Sequence, residues 1–227
     1  MRKLILTLSI LLTFFSLEFS YAQDWANLNR FQMQNNELGM PVPDEQRVVF
    51  MGNSIIEEWL KLRPEFFAGK PYVNRGIGGQ TTPQMLLRFR QDVINLQPAV
   101  VVILAGINDI AGNTGPATID EIASNIFSMA ELARVHNIKV VLCSVLPAAD
   151  IPWQPELAPA KKVVELNALI KVYSGKQAMG YVDYHAAMVN DSNGLQEALG
   201  RDSVHPNAAG YVVMEPLVEA ALSLVQK

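Results

Sequence analysis

The 227 residues are 50% hydrophobic and 18% charged, with 18 basic against 22 acidic side chains and a net charge of −4. That length supports one well-cored domain or two small ones, and the mixture is too apolar for disorder. The acidic balance argues against a dedicated nucleic-acid binder, and a single cysteine rules out both an intrachain disulfide and a multi-cysteine zinc site.

Met1 to Ala22 reads as a secretory leader. Arg2 and Lys3 precede a mostly apolar run from Leu4 to Phe15, and Ser20-Tyr21-Ala22 offers small residues at −3 and −1, so cleavage is expected before Gln23. Arg2, Lys3 and Glu18 leave with it, so the mature chain, residues 23–227, carries 16 bases against 21 acids and a charge of −5. No second stretch reads as long enough to span a bilayer, which predicts an exported chain with no stable membrane insertion.

Residues 24–38 read as a helix capped by Asp24 and ended at Gly39. Short, β-rich runs follow at 48–52, 72–76, 99–106, 139–147 and 181–185, and the middle ones are nearly continuously apolar, as strands covered on both faces must be. Helical patterns lie at 83–95 (opened by Thr82-Pro83), 118–136, 159–178 and 207–225. Strand and helix alternate with no repeat and no linker, which predicts one α/β/α sandwich on a five-stranded parallel sheet.

Open parallel sheets bind ligands beyond the carboxyl ends of their strands. The loops there should therefore hold the chemistry. The first is Gly52-Asn53-Ser54-Ile55, where a serine at a strand-to-helix turn can act as nucleophile and offer its own N–H to an anion; taken alone it also fits an N-cap serine. It is not the elbow G-x-S-x-G, because Ile56 holds the last position. The second, Asn74 to Thr82, is rich in glycine and presents unobstructed N–H groups, although Thr81 breaks a dinucleotide fingerprint. The third, Gly106-Ile107-Asn108-Asp109, places an amide donor at the rim of the crevice or else closes the strand with an Asx-turn. In the fourth, Asp202-Ser203-Val204-His205, three-residue spacing lets the carboxylate fold back on the ring of its own histidine.

Together these four blocks resemble those of the SGNH (GDSL-like) hydrolase superfamily, collinear over 48–210. The resemblance implies a flavodoxin-like sandwich, with residues 23–227 forming one catalytic domain. It implies Ser54 as nucleophile, Asp202 and His205 as its partners, and an oxyanion hole from the Ser54 and Gly79 amides and the Asn108 side chain. No metal or organic cofactor is required by such chemistry. The family's first block usually reads Gly-Asp-Ser; Asn53 keeps the acceptor oxygen and loses the charge. Within the superfamily an exported chain without a long apolar lid suits short acyl groups on carbohydrates. A lysophospholipase or thioesterase-type acylhydrolase is the alternative, and a catalytically silent glycan-binding protein the non-enzymatic one.

Other residues read as structural. Cys143 sits in an apolar strand, His136 near a helix C-terminus, and Asp191-Ser192-Asn193-Gly194 in a turn. Asp183 and His185 fall on one strand face as a rival acid–base pair. Arg75, Arg88 and Arg90 read as solvated surface charge. The Pro-rich stretch 148–159 is expected to wall the substrate pocket, with Trp153 available to stack on a sugar or line an acyl slot.

Overall fold

The computed structural model describes residues 24–226; the expected leader, 1–22, lies outside them. Its elements run α1 (Gln32–Leu38), β1 (Val48–Gly52), α2 (Ser54–Leu62), α3 (Pro64–Phe67), β2 (Tyr72–Gly76), α4 (Thr82–Asp92), β3 (Val100–Leu104), α5 (Ile107–Ile110) and α6 (Ile119–Val135). Then come β4 (Lys139–Cys143), α7 (Ala160–Lys176), β5 (Gly180–Val182), α8 (Tyr184–Met188) and α9 (Ala208–Val225). The five strands lie in the order β2-β1-β3-β4-β5, every pair parallel. That is the flavodoxin-like winding, whose direction reverses between β1 and β3 and opens a crevice there.

Every residue of β1 and β3 is buried, because helices cover both faces of the sheet. On one face Trp59 stacks on Phe66 and Tyr211 at centroid distances of 4.9 and 5.4 Å, and Phe50 meets Trp59 edge-on. Each such ring contributes roughly 1.5–3 kcal/mol by leaving water. Gly76 is required where β2 meets α2, since a Cβ there would collide with the backbone of Glu57.

Several boundaries differ from the sequence expectation. Residues 24–31 form turns rather than helix; the Asp24 carboxylate accepts from Leu28 N and Asn29 N at 2.7 and 3.0 Å, and regular helix begins only at Gln32. Helix α4 starts one residue early, capped by a Thr81/Gln84 box, and gives way to a 3₁₀ turn at Ile94–Leu96. The later strands are shorter than their apolar runs: β3 stops at Leu104, β4 at Cys143 and β5 at Val182. Burial continues past the strand ends in the loops, so hydrophobicity alone overextends them. At 18 residues α9 is also long and apolar enough to cross a membrane, contrary to the sequence reading, but it lays Tyr211, Met214, Val218 and Leu222 against the fold.

Candidate active site

The strand ends at the β1/β3 reversal bring together the four predicted blocks. Asn53, not Ser54, is the cap of α2: its Oδ1 accepts from Ile55 N at 3.1 Å, and the residue is buried. An asparagine oxygen does this as well as a carboxylate, so the turn keeps its shape without the charge. Ser54 is thereby the first helical residue. Its hydroxyl is spared capping, and its amide belongs to the N-terminal turn, where N–H groups have no intrahelical acceptor.

The hydroxyl of Ser54 lies 2.9 Å from Nε2 of His205. The other ring nitrogen, Nδ1, lies 2.9 Å from Asp202 Oδ2, while Oδ1 accepts from the amides of Val204 and His205 at 2.9 and 2.7 Å. Partial desolvation works to raise the Asp202 pKa. The amides of His205 and Val204 and the ring together outweigh it and hold the carboxyl below its usual range. An ionised carboxylate only accepts, so Nδ1 carries the proton and Nε2 presents its lone pair to the serine. The loop is closed by Arg201 N donating to His205 O, and Ser203 Oγ binds Asp150 Oδ1 at 2.5 Å, tying it to the 148–158 loop.

The glycine-rich loop turns back over Ser54. Gly79 has φ +75°, the left-handed conformation that favours glycine, and is exposed. Its neighbour Gly78 donates to Glu57 Oε2 at 2.7 Å, its own carbonyl accepts from Asn113 Nδ2 at 3.2 Å, and the carbonyl of Gln80 accepts from Asn108 Nδ2 at 2.9 Å. Asn108 lies in the short helix α5, not in an Asx-turn, and its amide has a second hydrogen to give. Beside it, the buried Asp109 accepts from Thr82 N (2.9 Å) and Thr82 Oγ1 (2.6 Å), locking α5 to the start of α4. Desolvation pushes the Asp109 carboxyl up to about 6 against those hydrogen bonds.

Trp153 stands over the histidine: its ring lies 5.9 Å from that of His205, and Nε1 donates to Asn113 Oδ1 at 3.0 Å. It is 40% exposed, as a pocket wall would be. Two other readings change, and those of Cys143, His136 and the 191–194 turn hold. Asp183 and His185 do not share a strand face; Asp183 caps α8 through Ala186 N and His185 lies within that helix, its own amide bound to Ser144 Oγ. Arg75 and Arg88 are buried, not solvated, whereas Arg90 is exposed. Cys143 is buried, and desolvation raises its thiol pKa well above the ordinary range. His136 closes α6, and Asn190 organises the turn at 191–194 by accepting from Ser192 N and Gly194 N.

A flavodoxin-like sheet with a serine–histidine–aspartate relay at its reversal point is the architecture of an ester-bond hydrolase. The chain belongs to the GDSL-like Lipase/Acylhydrolase family, whose profile matches residues 50–213. It is 48% identical to a GDSL-like lipase from Bacteroides thetaiotaomicron, with a TM-score of 0.85 over 87% of this chain and 98% of that one. An acylhydrolase-class structure from Bacteroides fragilis is also 48% identical, with a TM-score of 0.88 over 90% and 100% of the two chains. The platelet-activating factor acetylhydrolase IB subunit alpha2 of Rattus norvegicus is 26% identical over 214 residues, 91% of this chain and 90% of the relative.

Proposed function

We propose that the chain is an exported serine esterase that removes short acyl groups, acetyl above all, from carbohydrate esters. The observation that carries the catalytic part is the unbroken relay Ser54 Oγ–His205–Asp202, with both links at 2.9 Å. Ser54 Oγ attacks the ester carbonyl as its proton passes to His205 Nε2, and Asp202 steadies the imidazolium. The Ser54 and Gly79 amides and the second hydrogen of Asn108 Nδ2 receive the negative oxygen. His205 then gives its proton to the departing alcohol, and the same ring activates the water that frees the acid.

The acyl size is supported by the rat relative, which is named an acetylhydrolase. The alcohol part is supported by Trp153, a half-exposed indole fixed beside the histidine, a placement suited to a sugar face. Export is supported by the leader pattern at 1–22. The Bacteroides thetaiotaomicron relative bears a lipase name, which favours a lipid acyl ester as the second reading. Hydrolysis of p-nitrophenyl acetate, butyrate and octanoate beside acetylated xylan and O-acetyl sialic acid separates the two. Rates should fall with chain length and acetylated glycan should release acetate; a preference for octanoate with inert glycans would establish the lipid reading.

A further inference from the structure

Arg88 is fully buried, on a helix whose buried face also carries Met85 and Phe89 beside Thr82 and Asp92. Holding α4 in place needs no guanidinium, and a buried one is costly unless its donors are met. They are met by a particular set of acceptors. Nε donates to Gln80 Oε1 at 2.6 Å and Nη1 to Asp92 Oδ2 at 3.1 Å. Nη2 donates to the carbonyls of Gly52 and Arg75 at 3.1 and 2.9 Å. Gly52 ends β1 two residues before Ser54, Arg75 lies at the end of β2, and Gln80 follows Gly79 directly.

Gln80 is itself 4% exposed and bonded at both ends: Nε2 donates to Ala26 O at 2.8 Å while its main-chain oxygen holds the Asn108 amide. The 24–38 segment, outside all four sequence blocks, completes the cluster. The Phe31 ring lies 4.7 Å from the Arg75 guanidinium and 6.0 Å from that of Arg88. Asn35 accepts from Arg75 at 2.7 Å and donates to Asp92 Oδ1 at 2.8 Å.

We propose that Arg88 and Gln80 form a buried strut that sets the position of the oxyanion donors, Arg88 fixing the Gln80 side chain and Gln80 fixing the Gly79 turn and the Asn108 amide relative to Ser54. A glycine turn has little conformational preference of its own, so its donors need outside restraint. Oxyanion donors act only within about 2.7–3.1 Å of the developing charge, and a displacement of about 1 Å can cost on the order of 10²-fold. Both residues are positioning residues, since neither touches the reacting atoms. The inference rests on the proposed serine mechanism, with Ser54 as nucleophile and Gly79 and Asn108 as its oxyanion donors.

The test uses the mature chain with Gln80→Leu, Gln80→Glu and Ser54→Ala, measuring kcat and KM on p-nitrophenyl acetate, inhibition by phenylboronic acid as a tetrahedral-anion mimic, and the melting temperature. Gln80→Leu should lower kcat by roughly 10–100-fold with KM within about twofold, and weaken the boronic acid by a similar factor. Gln80→Glu, which still accepts from Arg88 Nε but gives up the donor to Ala26 O, should recover part of both. A Gln80→Leu protein with native kcat, or one whose kcat falls while boronate affinity stays native, overturns the strut. If Gln80→Leu does not fold, Gln80→Asn replaces it: one methylene short of Arg88, it should fall well below Gln80→Glu, and equal activity of the two overturns the proposal. Ser54→Ala separates the layers. Full turnover without Ser54 removes the underlying assignment, whereas an inactive Ser54→Ala beside a native Gln80→Leu removes only the strut.

Discussion

The hydroxyl of Ser54 and the Nε2 of His205 stand 2.9 Å apart although 151 positions separate them in the chain. The contact depends on α2 and α9 meeting across the sheet end, where the Tyr211 hydroxyl donates to Ile55 O at 2.8 Å and its ring stacks on Trp59. Ser54→Ala removes one oxygen from this arrangement and none of its packing. Hydrolysis of p-nitrophenyl acetate should fall by about 10⁴-fold or more, the scale for losing a nucleophile of this type. The melting temperature should stay within a degree or two, since the capping oxygen belongs to Asn53. An active Ser54→Ala enzyme would move the chemistry elsewhere.

The pH response follows from Asp202. Its pKa is lowered: desolvation acts upward, but hydrogen bonds from the His205 and Val204 amides and the His205 ring prevail. A carboxyl depressed on folding contributes stability above its unfolded pKa and loses it as pH falls through the folded value. Asp202 is therefore ionised throughout the range in which a histidine titrates. Asp202 should then add no second proton to the acid limb of kcat/KM, which should show a slope of one. Asp202→Asn should reduce kcat by about 10³–10⁴-fold by releasing the ring's tautomer. An acid limb of slope two in the wild type would show that Asp202 titrates alongside.

Asp109 gives the opposite sign. Desolvation raises its pKa to about 6, despite the hydrogen bonds from Thr82. Between its ordinary value of 3.8 and 6 the folded chain keeps a proton that the unfolded chain releases, so this group's contribution to stability falls as pH rises through that window and is level above it. Subtracting the melting curves of Asp109→Asn from those of the wild type should isolate that decline. Asp109→Ala leaves Thr82 N without its acceptor and should cost about 1–3 kcal/mol, a drop of roughly 2–12 °C in Tm. A difference curve that is flat from pH 4 to 7 would count against a raised Asp109.

These cases show what the sequence made legible. The alternation of strand and helix carried the sheet and its parallel sense, because periodicity and burial follow local composition. The first and fourth blocks carried the relay, because Ser54 opens the helix directly after β1 and Asp202 and His205 stand three residues apart in one loop. What escaped were residues whose partners are distant in sequence. Arg88 looked like surface charge because nothing local reveals that Gly52 O, Arg75 O and Gln80 Oε1 converge on it. Asp109 was visible only as a neighbour of Asn108 until Thr82 came within 2.6 Å. Tyr184 and His185 extended a β-rich run, yet the Asp183 cap turns them into helix, a local signal that side-chain capping offered and hydropathy masked.

Trp153 offers the sharpest test of substrate class. Its indole is held by one hydrogen bond, from Nε1 to Asn113 Oδ1, and Asn113 also donates to the carbonyl of Gly79. The ring is thus fixed relative to both His205 and the glycine loop while the residue stays 40% exposed, a disposition compatible with an aromatic platform. A small aryl acetate requires little more than the relay. A sugar acetate presents a ring to be oriented before its ester reaches Ser54. Trp153→Ala should therefore lower kcat/KM on acetylated xylooligosaccharides by about 10-fold, the worth of roughly 1.4 kcal/mol of stacking. On p-nitrophenyl acetate the same change should stay within about twofold. Asn113→Ala, which frees the indole without removing it, should give an intermediate loss on the sugar esters. Equal losses on both substrates would make Trp153 a general wall of the site and take the sugar platform away.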